Sequence, residues 1–479
     1  MKKINRILLF LAVAAFSCIS EFTCQAQKPP KLTKAQMQED IAFLVQTLKD
    51  VNPHFIIREK VTGAPIRAEI DSLAATSAHI KTFKDFYYLG SSILRLCKDP
   101  HNIFRSAALD NSNRYITPEG ITLTNKCVML YRKYNSWASH PFGYIDGKYF
   151  VDRYVYDKHG KLYFPLCSQI LAINDIPVDE YQKKNNIRWD VSKKKYYSSG
   201  IFLQNPRKIT YQYNDTVKTV KIKDRQINNS CRDLYKEKVL WFEKDSILYI
   251  RIPEMDYSKT DFYLQGIRKN KNNTINKVVI DVRYNDGGND YVWMETLSEI
   301  IDQPVFYKEE IYIKDSPIML DYMKEVRKED VSLYAHKTIE GEQFIDISET
   351  DTIFPSLTSL HYKGKIYVLA DENVFSSTLA FISVCNQNTR FITVGNPSGY
   401  LSGRSFDPCS FSLPNSKLIF GITPCLDLTG VKNLEDCYDH RRDILVDTKD
   451  CNYRYYKECF TPEHLYEYDS YFKKVLEQK

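Results

Sequence analysis

Two runs in the C-terminal half constrain the fold more than anything else in the chain: Val278-Val279-Ile280-Asp281-Val282 and Ile366-Tyr367-Val368-Leu369-Ala370. A strand presents successive side chains to opposite faces, so a run that is apolar throughout must be covered on both sides. Such strands form the interior of a sheet sheathed by helices. From about Leu240 onward, strands and helices do alternate. Ile247 to Ile252 reads as a strand, Asp261 to Lys269 as a helix, Lys277 to Val282 and Lys365 to Ala370 as buried strands, and Leu379, Ile382, Ser383 and Cys385 begin a helix. The alternation predicts an α/β core over residues 240–479.

The preceding segments follow other patterns. From Lys34 to Leu48, Met37, Ile41, Leu44 and Leu48 recur at helical spacing up to Asn52-Pro53, where the proline disfavours helix for the residue before it. Helical stretches follow near Arg67 to Ser77 and Thr82 to Cys97, so residues 28–110 read as a helical region that ends in the turn Asp99-Pro100-His101. Between Ile116 and Asp224 the pattern becomes short β-rich runs broken by Gly, Asn and Asp. Gln169 to Val178 is a strand, a tight Asn174-Asp175 turn and a second short strand. Residues 115–225 are therefore expected to form a small β-rich domain.

At the N-terminus, Lys2, Lys3 and Arg6 precede the apolar run Ile7 to Phe16 and the small-residue site Cys24-Gln25-Ala26, the layout of a secretory signal over residues 1–26. The run is shorter than the ~20 residues that a membrane-spanning helix needs, and no later segment approaches that length. The expected location is outside the cytoplasm: periplasmic, secreted, or anchored as a lipoprotein at Cys18. Cleavage leaves ten of the twelve cysteines. Four of them, Cys425, Cys437, Cys451 and Cys459, crowd the C-terminal region, where one or two disulfides are expected. The chain has no CxxC and no paired-histidine spacing, so no metal site is expected. The net charge of +6 over 479 residues comes from scattered lysines and carries no nucleic-acid footprint.

Chemistry concentrates at two strand-to-helix junctions. Ser376 follows the Ile366 to Ala370 strand and opens a helix, where unpaired N–H groups and the positive dipole end can hold an oxyanion. The plain alternative is that Ser376, Ser377 or Thr378 merely caps the helix. The other junction is Asn285-Asp286-Gly287-Gly288, whose glycines let bare backbone approach a ligand. Two such loops at adjacent strand ends of one sheet face the same crevice.

Val278 to Gly288 resembles the strand-and-glycine motif of the tail-specific, or C-terminal processing, serine peptidases, a family that includes the tricorn core and the retinoid-binding-protein modules. Ile366 to Ser377, followed by Arg390-Phe391-Ile392-Thr393-Val394-Gly395-Asn396-Pro397, is similar to that family's nucleophile strand, helix and next strand, and Gln169 to Val178 to the end of its inserted PDZ-like domain. The resemblance implies a crotonase-like α/β core, an N-terminal helical unit and a PDZ-like insert that grips a peptide or protein substrate, by its C-terminus or elsewhere along it. It implies Ser376 as nucleophile and an oxyanion hole from Gly287 or Gly288 with the Ser377 amide, and no cofactor.

One position departs from the pattern. Where the processing peptidases carry a lysine base after Gly-x-Pro, this chain has Leu401, and Arg404 nearby stays protonated and cannot act as a base. The tricorn-like branch draws a histidine from the end of its helical region, which implies His101. Its third group, an acid shortly before an Asp-Ile-x-Val strand, corresponds to Glu435 or Asp436 ahead of Asp443-Ile444-Leu445-Val446. The function implied is an exported serine peptidase working through Ser, His and an acid. The alternative is an inactive relative that binds peptides or other ligands.

Overall fold

The computed structural model describes residues 30–478, apart from 106–112, 133–141, 146, 152–154, 158, 184–185, 187, 199–200, 202–206, 223–227, 230–235, 402–407, 439–441 and 448–459. The expected signal segment, Cys18, Arg404, Cys451 and Cys459 lie outside the described residues.

The centre is a six-stranded sheet in the order β1 (Lys238–Phe242), β2 (Ile247–Arg251), β3 (Lys277–Asp281), β4 (Ile366–Ala370), β5 (Phe391–Gly395) and β6 (Ile444–Leu445). β1 runs antiparallel to β2, and every later pair is parallel. The apolar runs explain themselves by alternation. Leu248, Ile250, Val278, Ile280, Ile366 and Val368 face one core with the intervening helices. Ile247, Tyr249, Val279, Tyr367 and Leu369 face another, closed by the C-terminal helices Pro462–Glu467 and Ser470–Leu476. The fold is mixed α/β, and both faces of its sheet are buried as the sequence requires.

The N-terminal region holds α1 (Lys34–Val51), α2 (His54–Thr62), α3 (Ile66–Ala75) and α4 (Phe83–Leu96). Thr33 with Gln36 and Thr82 with Asp85 form capping boxes that fix the starts of α1 and α4. α2 was not legible beside Pro53, because its apolar residues run together instead of recurring at helical spacing. These helices do not have a core of their own. Leu44, Leu48, Phe86, Ile93 and Leu94 pack with Ile311, Ile313, Phe411, Phe420, Ile422 and Cys425, which come from strands far downstream. The C-terminal half thus grips the exit of α4.

Downstream, an antiparallel sheet of Phe142–Ile145, Lys148–Val151, Gln169–Ile173, Arg207–Tyr213 and Thr216–Ile222 surrounds its own small core of Phe142, Val151, Ile170, Ile209 and Tyr211. Asn174 and Asp175 take φ of 51° and 65°, the left-handed pair of a two-residue hairpin turn. One segment departs from the β-rich expectation: Pro118–Arg132 is an α-helix, with proline in its first turn, and Thr124 Oγ1 accepts the Ile419 N–H at 2.8 Å. The disulfide expectation does not hold for the two of its four cysteines that are described. Cys425 and Cys437 are free, buried thiols in different cores, one in a strand and the other in a 3₁₀ turn.

Candidate active site

β3 and β4 are neighbours in register, Ile280 opposite Val368, so the turns after them emerge side by side. The first is held from beneath by buried charge. Asp281 accepts from Arg283 and from the Tyr249 hydroxyl at 2.7 Å, and Arg283 also pairs with Asp469 at 2.8 Å. All of these groups are buried. The chain then turns through Tyr284 at φ 63° into Asn285, whose Nδ2 donates to the Ile252 carbonyl at 3.0 Å and whose Oδ1 accepts the Gly287 N–H at 2.8 Å. Met255 donates to the Gly287 carbonyl and accepts from the Asn289 N–H. The Gly287 and Asn289 amides are thereby spent.

Gly287 and Gly288 sit at φ 108° and 134°. A Cβ on Gly287 would meet Ser376 Cβ at 2.7 Å, the Phe375 carbonyl at 2.9 Å and the Ser377 nitrogen at 3.1 Å. The glycine backbone therefore lies directly against the serine turn.

Three bonds stitch the two turns together. The Phe375 N–H donates to the Asn285 carbonyl at 3.1 Å, the Tyr284 N–H to Asp371 Oδ1 at 2.9 Å, and the Ser377 hydroxyl to Asp290 Oδ1 at 2.5 Å. Asp290 also accepts from the Trp293 indole. Asp290 and Asp371 were not singled out in the sequence; isolated aspartates in turns carry no signal of which turn they bridge.

Ser376 occupies the N-cap position of α5 (Ser377–Asn386), yet among the described residues its side chain makes no capping bond. Its backbone is at φ 55°, ψ −126°, a conformation that a side-chain-bearing residue adopts only when its surroundings impose it. The capping alternative thus fails at Ser376. A serine on a sharp, strained strand-to-helix turn presents its Oγ at the top of the sheet.

His101 arrives from the loop after α4. Asp99 Oδ1 accepts the His101 N–H at 2.8 Å, which shapes the Asp99-Pro100-His101 turn. The imidazole packs on Phe375, with ring centroids 4.6 Å apart, so it stands beside the residue that precedes Ser376. Its Nδ1 lies 3.2 Å from Thr423 Oγ1 and 3.8 Å from Asp99 Oδ1. Tyr400 packs on Phe375 from another direction at 4.7 Å, and the buried Arg188 guanidinium lies over Tyr400.

The downstream acids sit on the 3₁₀ turn Leu434–Cys437. Asp436 caps that turn, accepting the Asn433 N–H at 2.8 Å and the Lys432 N–H at 3.2 Å. Glu435 is exposed. Leu401, at the position of the family's lysine, is buried. Among the described residues no cluster of His, Cys, Asp and Glu could hold a metal ion, and no helix is long and apolar enough to cross a membrane.

A strained serine opening a helix at the end of a parallel strand, faced by bare glycine backbone, has the layout of a serine hydrolase. Residues 246–409 match Peptidase family S41. This segment carries β2 to β5 and both turns, and over it the chain is similar to a family of serine peptidases. In fold it is similar to mature CPAF complexed with lactacystin, with TM-score 0.58 and 13% identity over 92% of this chain and 97% of that one. A serine-to-alanine mutant of CPAF gives 0.57 and 14%, over 92% and 96%. The photosystem II D1 C-terminal processing protease gives 0.42 and 10%, over 86% and 94%. No curated protein sequence matches the chain.

Proposed function

We propose that the protein is an exported serine peptidase in which Ser376 is the nucleophile and His101 its base, on a crotonase-like core with a PDZ-like insert that receives a substrate chain, at its C-terminus or elsewhere along it. One observation carries this reading: the strained, uncapped Ser376 is pressed between Gly287 and the turn against which His101 packs. With the Thr423 hydroxyl 3.2 Å and the Asp99 carboxylate 3.8 Å from Nδ1, this reading places the ring proton at Nδ1 and makes Nε2 the nitrogen that takes the serine proton.

In the proposed reaction the Ser376 proton passes to His101 Nε2 as Oγ bonds to the substrate carbonyl carbon. The oxyanion is met by the N–H of Ser377 and the N–H of Gly288, since the Gly287 amide is already committed to Asn285. His101 returns the proton to the leaving amine as the C–N bond breaks, and water then repeats the cycle on the acyl-enzyme. Of the two downstream acids, Glu435 is kept as a candidate for the third group, because Asp436 is committed to its own cap.

The test is labelling with a serine-directed fluorophosphonate, with lactacystin as a second probe. Wild type should label, and Ser376→Ala and His101→Ala should not. A folded wild type that stays unlabelled would make the chain a binding protein instead.

A further inference from the structure

Behind His101 lies a buried polar chain that the acyl-transfer reading does not use. His54, at the start of α2, is fully buried, and its Nε2 lies 3.0 Å from the Cys425 carbonyl. A carbonyl oxygen only accepts, so Nε2 must carry a proton. The other ring nitrogen, Nδ1, lies 3.3 Å from Asp99 Oδ2. In a neutral ring that nitrogen would turn a lone pair toward a buried carboxylate, two acceptors face to face with no water between them. A ring that holds both protons instead sets a positive charge 3.3 Å from the Asp99 carboxylate, an ion-pair contact.

Asp99 then has both oxygens assigned. Oδ2 faces the His54 cation. Oδ1 takes the His101 main-chain N–H and lies 3.8 Å from the His101 Nδ1. Burial by itself would raise the Asp99 pKa, but the hydrogen bond from His54 and the charges of His101, His54 and Arg58 override it and hold the carboxyl well below its usual range. Arg58 is also buried, one turn along α2 from His54. Cys97 is neutral, its thiol pushed up to about 12 by burial. Thr423 completes the seat: its Oγ1 faces the His101 Nδ1 and its N–H donates to Asn102 at 3.0 Å.

We infer that Asp99, locked in place by a doubly protonated His54, is the residue that positions His101. It fixes the backbone of the His101 turn and sets a negative charge beside the ring's Nδ1. The inference rests on the Ser376 and His101 reading of the site. It gives the imidazolium formed during acyl transfer a fixed, water-free counter-charge, independent of the exposed Glu435.

The experiment compares steady-state peptide hydrolysis and fluorophosphonate labelling for wild type, Asp99→Asn, His54→Gln, Glu435→Gln and Ser376→Ala. Asn at 99 still accepts the His101 N–H but carries no charge. Gln at 54 still donates to the Cys425 carbonyl but cannot be a cation. Asp99→Asn should lower kcat at least about tenfold with KM unchanged, as expected when the group that orients a catalytic histidine loses its charge. It should also move the acid limb of kcat/KM to lower pH, because an imidazolium at His101 loses its attraction to the carboxylate while His54 and Arg58 remain. His54→Gln should lower kcat in the same way but by less. Should Asp99→Asn fail to fold, His54→Gln carries the test through its kcat at unchanged KM. Wild-type kcat and pH profile in both folded variants, with a loss only in Glu435→Gln, would overturn the inference and leave the Ser376 reading standing. Labelling that persists in Ser376→Ala would instead overturn that reading.

Discussion

Gly287 is the position where a single methyl group tests the whole site. In Gly287→Ala the new Cβ would sit 2.7 Å from Ser376 Cβ and 2.9 Å from the Phe375 carbonyl. Carbon atoms rest at about 3.5 to 4 Å, so the two turns would have to separate by roughly 1 Å. Alanine at φ 108° adds backbone strain of about 1–3 kcal/mol. Overpacking against the serine turn adds about 1–3 kcal/mol more. Displacement by that distance at a reacting centre lowers the rate by about 10²-fold. Gly63→Ala is the control, because Gly63 sits at φ 69° with nothing within 4 Å of its missing Cβ, and so incurs the backbone term alone. The assay is the second-order rate of fluorophosphonate labelling, read beside the denaturant midpoint. Gly287→Ala should lose both rate and stability; Gly63→Ala should lose a little stability and keep its rate. A Gly287→Ala enzyme with wild-type rate and midpoint would refute the close packing of the glycine turn on Ser376.

Three further outcomes follow from the same geometry. Ser377→Ala removes the 2.5 Å bond to Asp290; it should cost about 1.5–3 kcal/mol in chemical denaturation and slow labelling. Arg283→Met strands Asp469 as a buried carboxylate without a counter-charge and leaves Asp281 to Arg251 alone, and a loss of about 3–5 kcal/mol in denaturant stability is expected. Burial would raise the Asp281 carboxyl, but Arg283 and Arg251 hold it below its usual range, as His54 and its neighbours do for Asp99. A folded-state pKa below the unfolded one contributes stability that is complete above about pH 4 and is lost as pH falls further. Denaturant midpoints should therefore be flat with pH above that value and fall steeply below it, and the fall should be shallower in Asp99→Asn.

Much of this was legible because it depends on local pattern. The continuous apolar strands, the capping-box helices and the Asn-Asp hairpin each state their structure within ten residues. Ser376 was legible as a strand-to-helix serine, and the bonds around it agree. Less legible was everything that depends on what meets what. Pro118–Arg132 reads as β-rich because its apolar residues lack a clean helical stripe, and its place is fixed by contact with Ile419, some three hundred residues away. The cysteines were counted as pairs, but their separation into different cores is a matter of topology. His54 gave no signal at all. Only the fold brings the Cys425 carbonyl to one side of its ring and Asp99 to the other.

The seat of His101 is built from both ends of the chain. Asp99 and His54 precede the serine, while Thr423 and the Cys425 carbonyl follow it. On the proposed mechanism a growing polypeptide that already contains Ser376 has no ordered base to activate it until the strands beyond residue 419 have been made and folded back. The helical region would thus act as a safety catch released by completion of the fold, so that a peptidase made in the company of other unfolded chains stays inert until it is no longer one of them.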